Sequence, residues 1–443
     1  MGDINNNEND LTQLSRGPYS KYSRFAGVES YRKRRRQSKV FQVVVYVLLI
    51  MVVGTATFLL GWRLLDDRPI TGAGYIEQED EVVEEEPEPE ETPALPATEI
   101  KLLMTGDVVM NHAVVESGLK ESGAYGFDHL FSKLRGELSS FDLRLVGQET
   151  GLAGSKFGFG AWMPLNAPQE LGRAEVSAGF NVILRASDHT LDNGNEGVHN
   201  ELAWWQSEYP NLPLLGVAEP DPAANPGLND YVNNVYIYEK EGLKIAVLNH
   251  SWAIPEESYG VVSPLTEDKI VADVNKAREA GAQIIIACPH WGAEDEVEPT
   301  EEEKSFAQIY ANNGVDVVIG THPRVLQRTE VLEGPDGHKT ACYYSLGCLV
   351  SSLYSQNFLG GLAEVTIARN EEGVCSVKSA VLKPVVTHRG NGEDYSVYLL
   401  SAYTDDLTNS SWDSDLTPAE ATRRCTEVLG EGYDAEKFEL RVL

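Results

Sequence analysis

The chain has 443 residues, with 68 Asp and Glu against 36 Lys and Arg, a formal net charge of −32, and 42% hydrophobic side chains. The apolar share is enough for a globular core, and the length permits one large domain or two of ordinary size. So acidic a surface excludes a general nucleic-acid binder, which needs clustered Lys and Arg, and a surface that lies along an anionic membrane.

The charge is unevenly placed. Residues 1–39 hold nine basic and four acidic side chains, and residues 40–65 hold one Arg and no acid, so the remainder carries −38. Val40–Trp62 runs 23 residues without a charge, roughly 35 Å as a helix, enough to cross a bilayer core with some tilt. A cleaved signal peptide has a shorter apolar region and a small-residue cleavage site. Here the run ends in Trp62-Arg63-Leu64-Leu65, so an uncleaved anchor over 40–65 is expected. Arg32-Lys33-Arg34-Arg35-Arg36 and Lys39 precede it, and acids follow. The positive-inside bias then places 1–39 as a basic cytoplasmic tail and residues 66 onward outside the membrane.

Residues 66–99 follow as an acidic stalk. Glu77–Glu91 has ten acids in fifteen residues and no base, and like-charge repulsion with interspersed Pro keeps such a stretch extended. It lacks the spaced ligands and Gly of a calcium loop. All five cysteines (288, 342, 348, 375 and 425) lie beyond the anchor. An odd count leaves at least one free thiol, and no CxxC pair points to structural zinc.

From Ile100 the text alternates strand-like runs (IKLLMTGDVV, FDLRLVGQE, FNVILRAS, LKIAVLNHS, AQIIIACPHW, VDVVIGTHP) with helix-like ones (NAPQELGRAEVSAG, TEDKIVADVNKAREAG, TEEEKSFAQIYANNG). The last two helices open on Thr and close at Gly281 and Gly314, good caps. This alternation predicts a layered α/β domain over 100–389 with at least partly parallel sheet. An acidic C-terminal extension, 390–443, matches no pattern. Ligands of such sheets gather at the carboxyl ends of strands, where Asp107, Glu149, Asp188, His189, His290 and His322 fall. Each has an ordinary reading: Asp107 as a turn cap, Glu149 as a loop acid, SDHTLD with Asp192 as a helix start, HWG as a core His, HPR as a Pro-set turn. Together, five strand ends carrying His or carboxylate and opening on one sheet edge have the donors of a divalent Zn, Mn or Fe site.

At these residues the chain resembles a known family. TGDVVMN, VGQETGLAG, NAPQEL, AGFNVILRASDHTLDNGNEGV, CPHWGAE, GVDVVIGTHPRVLQRTEVL and YSLGCLVSS, in that order, are similar to the CapA-type poly-γ-glutamate capsule synthesis family over about Ile100–Val386. That family is related to the calcineurin-like metallophosphatases. The resemblance therefore implies a four-layer α/β sandwich of two sheets flanked by helices, a single-pass anchor, and a role in making or exporting a cell-surface polymer. It also implies a metal site in which Glu149, Asp188, His290 and His322 stand at the ligand positions, with Asp in place of Asn. A second site would use Asp107 with the bridging Glu149, but Val109 and Arg324 occupy its two His positions. Gly147, Thr321 and Cys348 also depart from the family's Asn, His and Asn.

Because a guanidinium cannot ligate metal, the expectation is one metal at most, with Arg324 pairing a phosphate or carboxylate of the ligand. His189 is the expected general acid and Asp192 its orienting partner. Three functions remain open: an accessory protein of polymer synthesis with a ligand-binding cleft, an active metal-dependent phosphoesterase on cell-envelope substrates, and a non-enzymatic scaffold for a membrane synthase. Membrane synthase components and an anionic polymer or small anion are the expected partners, and nucleic acid is not.

Overall fold

In β1 (Thr98–Val108) side chains 100, 102 and 104 face one way and Leu103 the other, yet all four are buried. A period-2 element buried on both faces must be covered on both, and that requirement sets the architecture. The computed structural model describes residues 97–443, apart from 162, 232–233, 353–354, 392–393 and 414. The expected tail, anchor and nearly all of the stalk lie outside these residues. Among the described residues no helix is long and apolar enough to cross a membrane.

The first sheet starts with β1, β2 (Leu143–Gln148), β3 (Val182–Leu184) and β4 (Leu214–Leu215), which run parallel in that order. The chain then builds a second, six-stranded sheet: β5 (Val235–Lys240), β6 (Leu243–Ser251), β7 (Ile284–His290), β8 (Val317–Ile319), β9 (Thr329–Glu333) and β10 (Lys339–Tyr343), in the order β5-β6-β7-β8-β10-β9. It returns to the first sheet with β11 (Cys348–Val350), β12 (Leu359–Arg369), β13 (Cys375–Arg389), β14 (Tyr395–Leu399), β15 (Tyr433–Asp434) and β16 (Glu439–Arg441).

The sheets pack face to face. Ile100, Leu102, Met104, Leu145 and Val182 of the first share one core with Ile245, Val247, Ile284, Ile286 and Ile319 of the second. The alternate side chains point outward under helices. Leu103, Val146 and Ile183 meet Leu171 and Ala174 of α1 (Glu170–Ala178) and Leu202 and Trp205 of α2 (Gly194–Glu208). Ala246, Leu248, Ile285 and Val318 meet Ile270 and Val274 of α3 (Glu267–Glu279) and Ala307 and Tyr310 of α4 (Glu301–Asn312). The result is a mixed α/β fold with two sheets inside and helices on both outer faces.

The caps read from sequence form. Thr266 accepts from Lys269 N, and Thr300 makes a capping box with Glu303. Gly281 and Gly314 take positive φ just past α3 and α4, a conformation that lets the chain turn off the helix without a Cβ clash. Of α2 the sequence showed only a helix start at SDHTLD, one of two readings of that run, and its Asn- and Gly-rich first turn hides the periodicity that follows. Residues 390–443 add β14 and β16 to the edge of β13 that β12 leaves open, β16 beside Val381 and Leu382 and β14 beside Val385–Arg389. They also place Ala421, Cys425 and Leu429 of α5 (Pro418–Leu429) in the core between the sheets. All five cysteines are unpaired.

Candidate metal and anion site

The parallel strands of both sheets end on one rim, and side chains tie the sheets together there. Asn249, at the end of β6, accepts from Ala186 N of the first sheet (2.8 Å) and donates to Cys288 O of β7 (2.8 Å). Asp107, at the end of β1, accepts the backbone N–H of His322 at 3.0 Å. Sequence reading put the candidate residues on one edge of one sheet. The structure instead divides them, with Asp107, Glu149, Asp188 and His189 on the first sheet and His290, His322 and Arg324 on the second.

Local structure aims each group. The turn carrying Asp188 and His189 is pinned by Thr190, whose Oγ1 accepts from Ser187 N (3.0 Å) and donates to Arg185 O (2.7 Å). Arg185, fully buried, pairs with Glu201 of α2 at 2.9 Å and braces that turn from beneath. His322 and Arg324 both have positive φ, 98° and 64°. Non-glycine residues in that region cost about 1–3 kcal/mol each and persist where surroundings over-determine them. Gly147 is explained by space: a Cβ there would lie 2.2 Å from Oδ1 of Asp107, so the Asp107 carboxylate fills the room a family Asn would need.

Three donor atoms converge. Asp188 Oδ1 lies 3.0 Å from His290 Nε2 and 3.6 Å from His322 Nδ1, and the two nitrogens are 3.2 Å apart. Ligands bound tetrahedrally at zinc-like distances of ~2.1 Å stand roughly 3.4 Å from one another, so these spacings suit one cation. Nearby, Glu149 Oε2 is buried without a hydrogen-bond partner, a costly state unless a cation is meant to face it. The donor set fits a single divalent metal. Burial opposes charge on His290, but Asp107 and Asp188 flank it and raise its pKa to about 10. Burial likewise opposes charge on Asp188, and His322 and His290 hold its carboxyl well below the usual range.

Asp107 sits behind His290. Its Oδ2 is 3.4 Å from Nδ1, the ring nitrogen turned away from Asp188, and Thr321 Oγ1 is 3.2 Å from the same nitrogen. Asp107, Glu149 and His290 also come within metal-binding range of one another, but two obstacles occupy the ground around them. Arg324 donates to Glu149 Oε1 at 2.9 Å, and Val109, Leu165 and Cys348 form a fully buried apolar cluster where further donors would be needed.

His189 faces the same space. Its Nδ1 is 2.8 Å from Asp192 Oδ2, an oxygen fixed by Leu165 N at 2.7 Å. Its Nε2 lies 3.3 Å from Arg324 Nη2, 3.5 Å from Glu149 Oε1 and 3.6 Å from Asp188 Oδ2. The contact with Arg324, itself a donor, requires a neutral ring. Burial also favours neutrality, but Asp192, Glu149 and Asp188 outweigh it and raise the pKa to about 9, so the protonated ring, directing Nε2–H at the two carboxylates, prevails at neutral pH. Sequence reading missed Glu294, whose carboxylate forms an ion pair with Arg324 at 2.9 Å. It stands in the quoted CPHWGAE run, but nothing local shows that its side chain turns to a residue thirty positions on.

Residues 101–352, more than half of the chain, match the family described as bacterial capsule synthesis protein PGA_cap. The capsule biosynthesis protein CapA of Bacillus anthracis is 25% identical over 269 residues, covering 57% of this chain and 59% of that protein. The PGA biosynthesis protein CapA of Bacillus subtilis (strain 168) is 27% identical over 177 residues, 39% of this chain and 42% of its own length. The chain thus matches less than two thirds of either relative. Among solved structures, the calcineurin-like phosphoesterase YfkN from Bacillus subtilis is similar at 13% identity and a TM-score of 0.39, covering 75% of this chain and 97% of that one. The family match runs from β1 through β11 and takes in every residue of the rim described above, and on it the chain belongs to the bacterial capsule synthesis PGA_cap family.

Proposed function

We propose that the chain is a membrane-anchored protein of cell-surface polymer synthesis or export whose cleft holds one divalent metal, Mn, Zn or Fe, and receives a phosphoryl or carboxylate group. The observation that carries this reading is the convergence of Asp188, His290 and His322 at ligand-to-ligand spacing. The apolar run 40–65 and the acidic stalk support the anchored placement. With −38 beyond the anchor, the surface at large repels a polyanion at low ionic strength. Capture therefore has to be local, where the metal and Arg324 reverse the sign.

A metal at these residues would polarise a bound oxygen and lower the pKa of bound water. The chain's own groups supply the rest. Asp107 and Thr321 fix the ring of His290. Asp192 holds the ring of His189, whose Nε2 proton faces the space shared by Glu149, Asp188 and Arg324. That proton could be delivered to a leaving oxygen, and this arrangement favours hydrolytic turnover over a bare scaffold.

Elemental analysis of full-length protein loaded with Mn, Zn or Fe tests the reading. One equivalent is expected in the wild type and none in His290→Ala, and a wild type that takes up no metal would overturn the metal cleft. Turnover of an aryl phosphate, lost in Asp188→Ala, is the expected sign of hydrolysis. No turnover with any of the three metals would remove that part and leave a binding cleft.

A further inference from the structure

Arg324 is 2% exposed and is held by two carboxylates of different standing. Glu149 is 0% exposed, whereas the Glu294 side chain is 47% exposed, and both oxygens lie 2.9 Å from Nη2. Burial disfavours the Arg324 charge, but these two acids outweigh it and keep the guanidinium protonated.

The backbone around Glu294 is locked to the loop of Arg324. Asp295 N donates to Pro323 O at 2.9 Å, Gln327 Nε2 to Glu296 O at 2.9 Å, and Asn357 Nδ2 to both Asp295 Oδ1 (3.2 Å) and Arg324 O (3.1 Å). The loop itself therefore has little freedom to open. The half-exposed side chain of Glu294 can leave by a rotamer change, a fast and local motion, and its carboxylate then returns to water at small desolvation cost. Glu149 has no such route.

We infer that Glu294 is a tethered anion occupying the ligand side of Arg324, and that it sets the specificity of the cleft by making every entering group displace a carboxylate. The inference rests on the proposed anion-receiving cleft. A monocarboxylate that displaces Glu294 replaces one charge with an equal one, and it competes with a group whose effective concentration is at least millimolar. Such an exchange gains nothing. A phosphate carries about −1.5 to −2 at neutral pH with three acceptor oxygens, so it gains both charge and hydrogen bonds on Arg324. Glu294 thus filters for phosphoryl groups and rejects lone carboxylates, including those of an acidic polymer.

Calorimetric titration of metal-free, full-length protein with inorganic phosphate and with acetate tests this. In the wild type, phosphate is expected to bind at least about tenfold more tightly than acetate. In Glu294→Gln both anions should bind more tightly, acetate by the larger factor, so that the preference narrows. Glu294→Ala should behave alike, which guards against a peculiarity of one variant. Equal binding of the two anions in the wild type, or unchanged affinities in both Glu294 variants, would overturn the filter. Arg324→Gln separates the two levels. If phosphate binding needs Arg324 but ignores Glu294, only the filter fails. If neither the wild type nor a Glu294 variant binds phosphate, metal-free or Zn-loaded, the filter and the anion cleft fail together.

Discussion

The cleft has two halves, built from the same loops and separated by a few ångströms, with opposite chemistry. On one side Asp188, His290 and His322 turn lone pairs toward a common point. On the other, Val109, Leu165 and Cys348 are packed dry, and Arg324 lays a permanent positive charge against Glu149. Both halves are buried and both are braced, so the second is no eroded copy of the first. Arg324 neutralises the Glu149 carboxylate through Oε1, and the apolar side chains of Val109, Leu165 and Cys348 fill the space beside it. One half is suited to a cation and the other to an anion that arrives beside it.

The most severe test of this contrast is His290→Ala. It removes the ligand common to the two shortest contacts in the cation half and should lower metal affinity by at least about a hundredfold, read by equilibrium dialysis with elemental analysis. If turnover occurs, His189→Gln should lower the rate by about 10²–10⁴-fold with metal content unchanged, which steady-state kinetics with an aryl phosphate would show. Replacing the anion half should require both obstacles to go. Arg324→His alone should leave the stoichiometry at one metal, because Val109 still offers no donor, and Val109→His with Arg324→His should raise it toward two. A second equivalent in the single variant would show that the apolar cluster is no barrier.

Asp107→Asn probes the support behind His290. It keeps the shape but weakens the hold on Nδ1, so metal affinity should fall roughly 10-fold. The smallest effect is expected from Asp192→Asn. The carboxylate helps raise the His189 pKa to about 9, and a raised pKa means the protonated form is kept until pH climbs through that value. Removing the charge lowers the pKa, so the alkaline fall in turnover should move to lower pH while the acid limb stays in place. An unmoved alkaline limb would show that another group sets it.

Much of the fold was legible because its causes are local. The six apolar runs from IKLLMTGDVV to VDVVIGTHP each contain a strand, and the Thr and Gly caps of α3 and α4 fall where expected. The strand-end positions of Asp107, Glu149, Asp188, His290 and His322 follow from the same reading. What local pattern could not express was partnership between strands. β1 and β7 look alike as sequences, and nothing in either shows that they belong to different sheets whose rims meet. The segment 390–443 was similarly opaque: β14 folds back on the adjacent end of β13, but β16 pairs with Val381 and Leu382 some sixty positions earlier, and the amphipathic α5 takes its meaning from a core built by both sheets.

The sequence by itself determined the charge division along the chain, the alternation of elements, and the residue types at the strand ends, because each depends on composition or on spacing within a few residues. It also showed that Arg324 and Val109 cannot serve as metal ligands, since that is a property of the side chains alone. Only the tertiary structure decided that Asp107 stands behind His290, that Val109 joins Leu165 and Cys348, and that Glu294 reaches Arg324. Those are contacts between residues tens to hundreds of positions apart. Their distances are fixed by how two sheets pack, and packing is a property of the whole core that no single segment encodes.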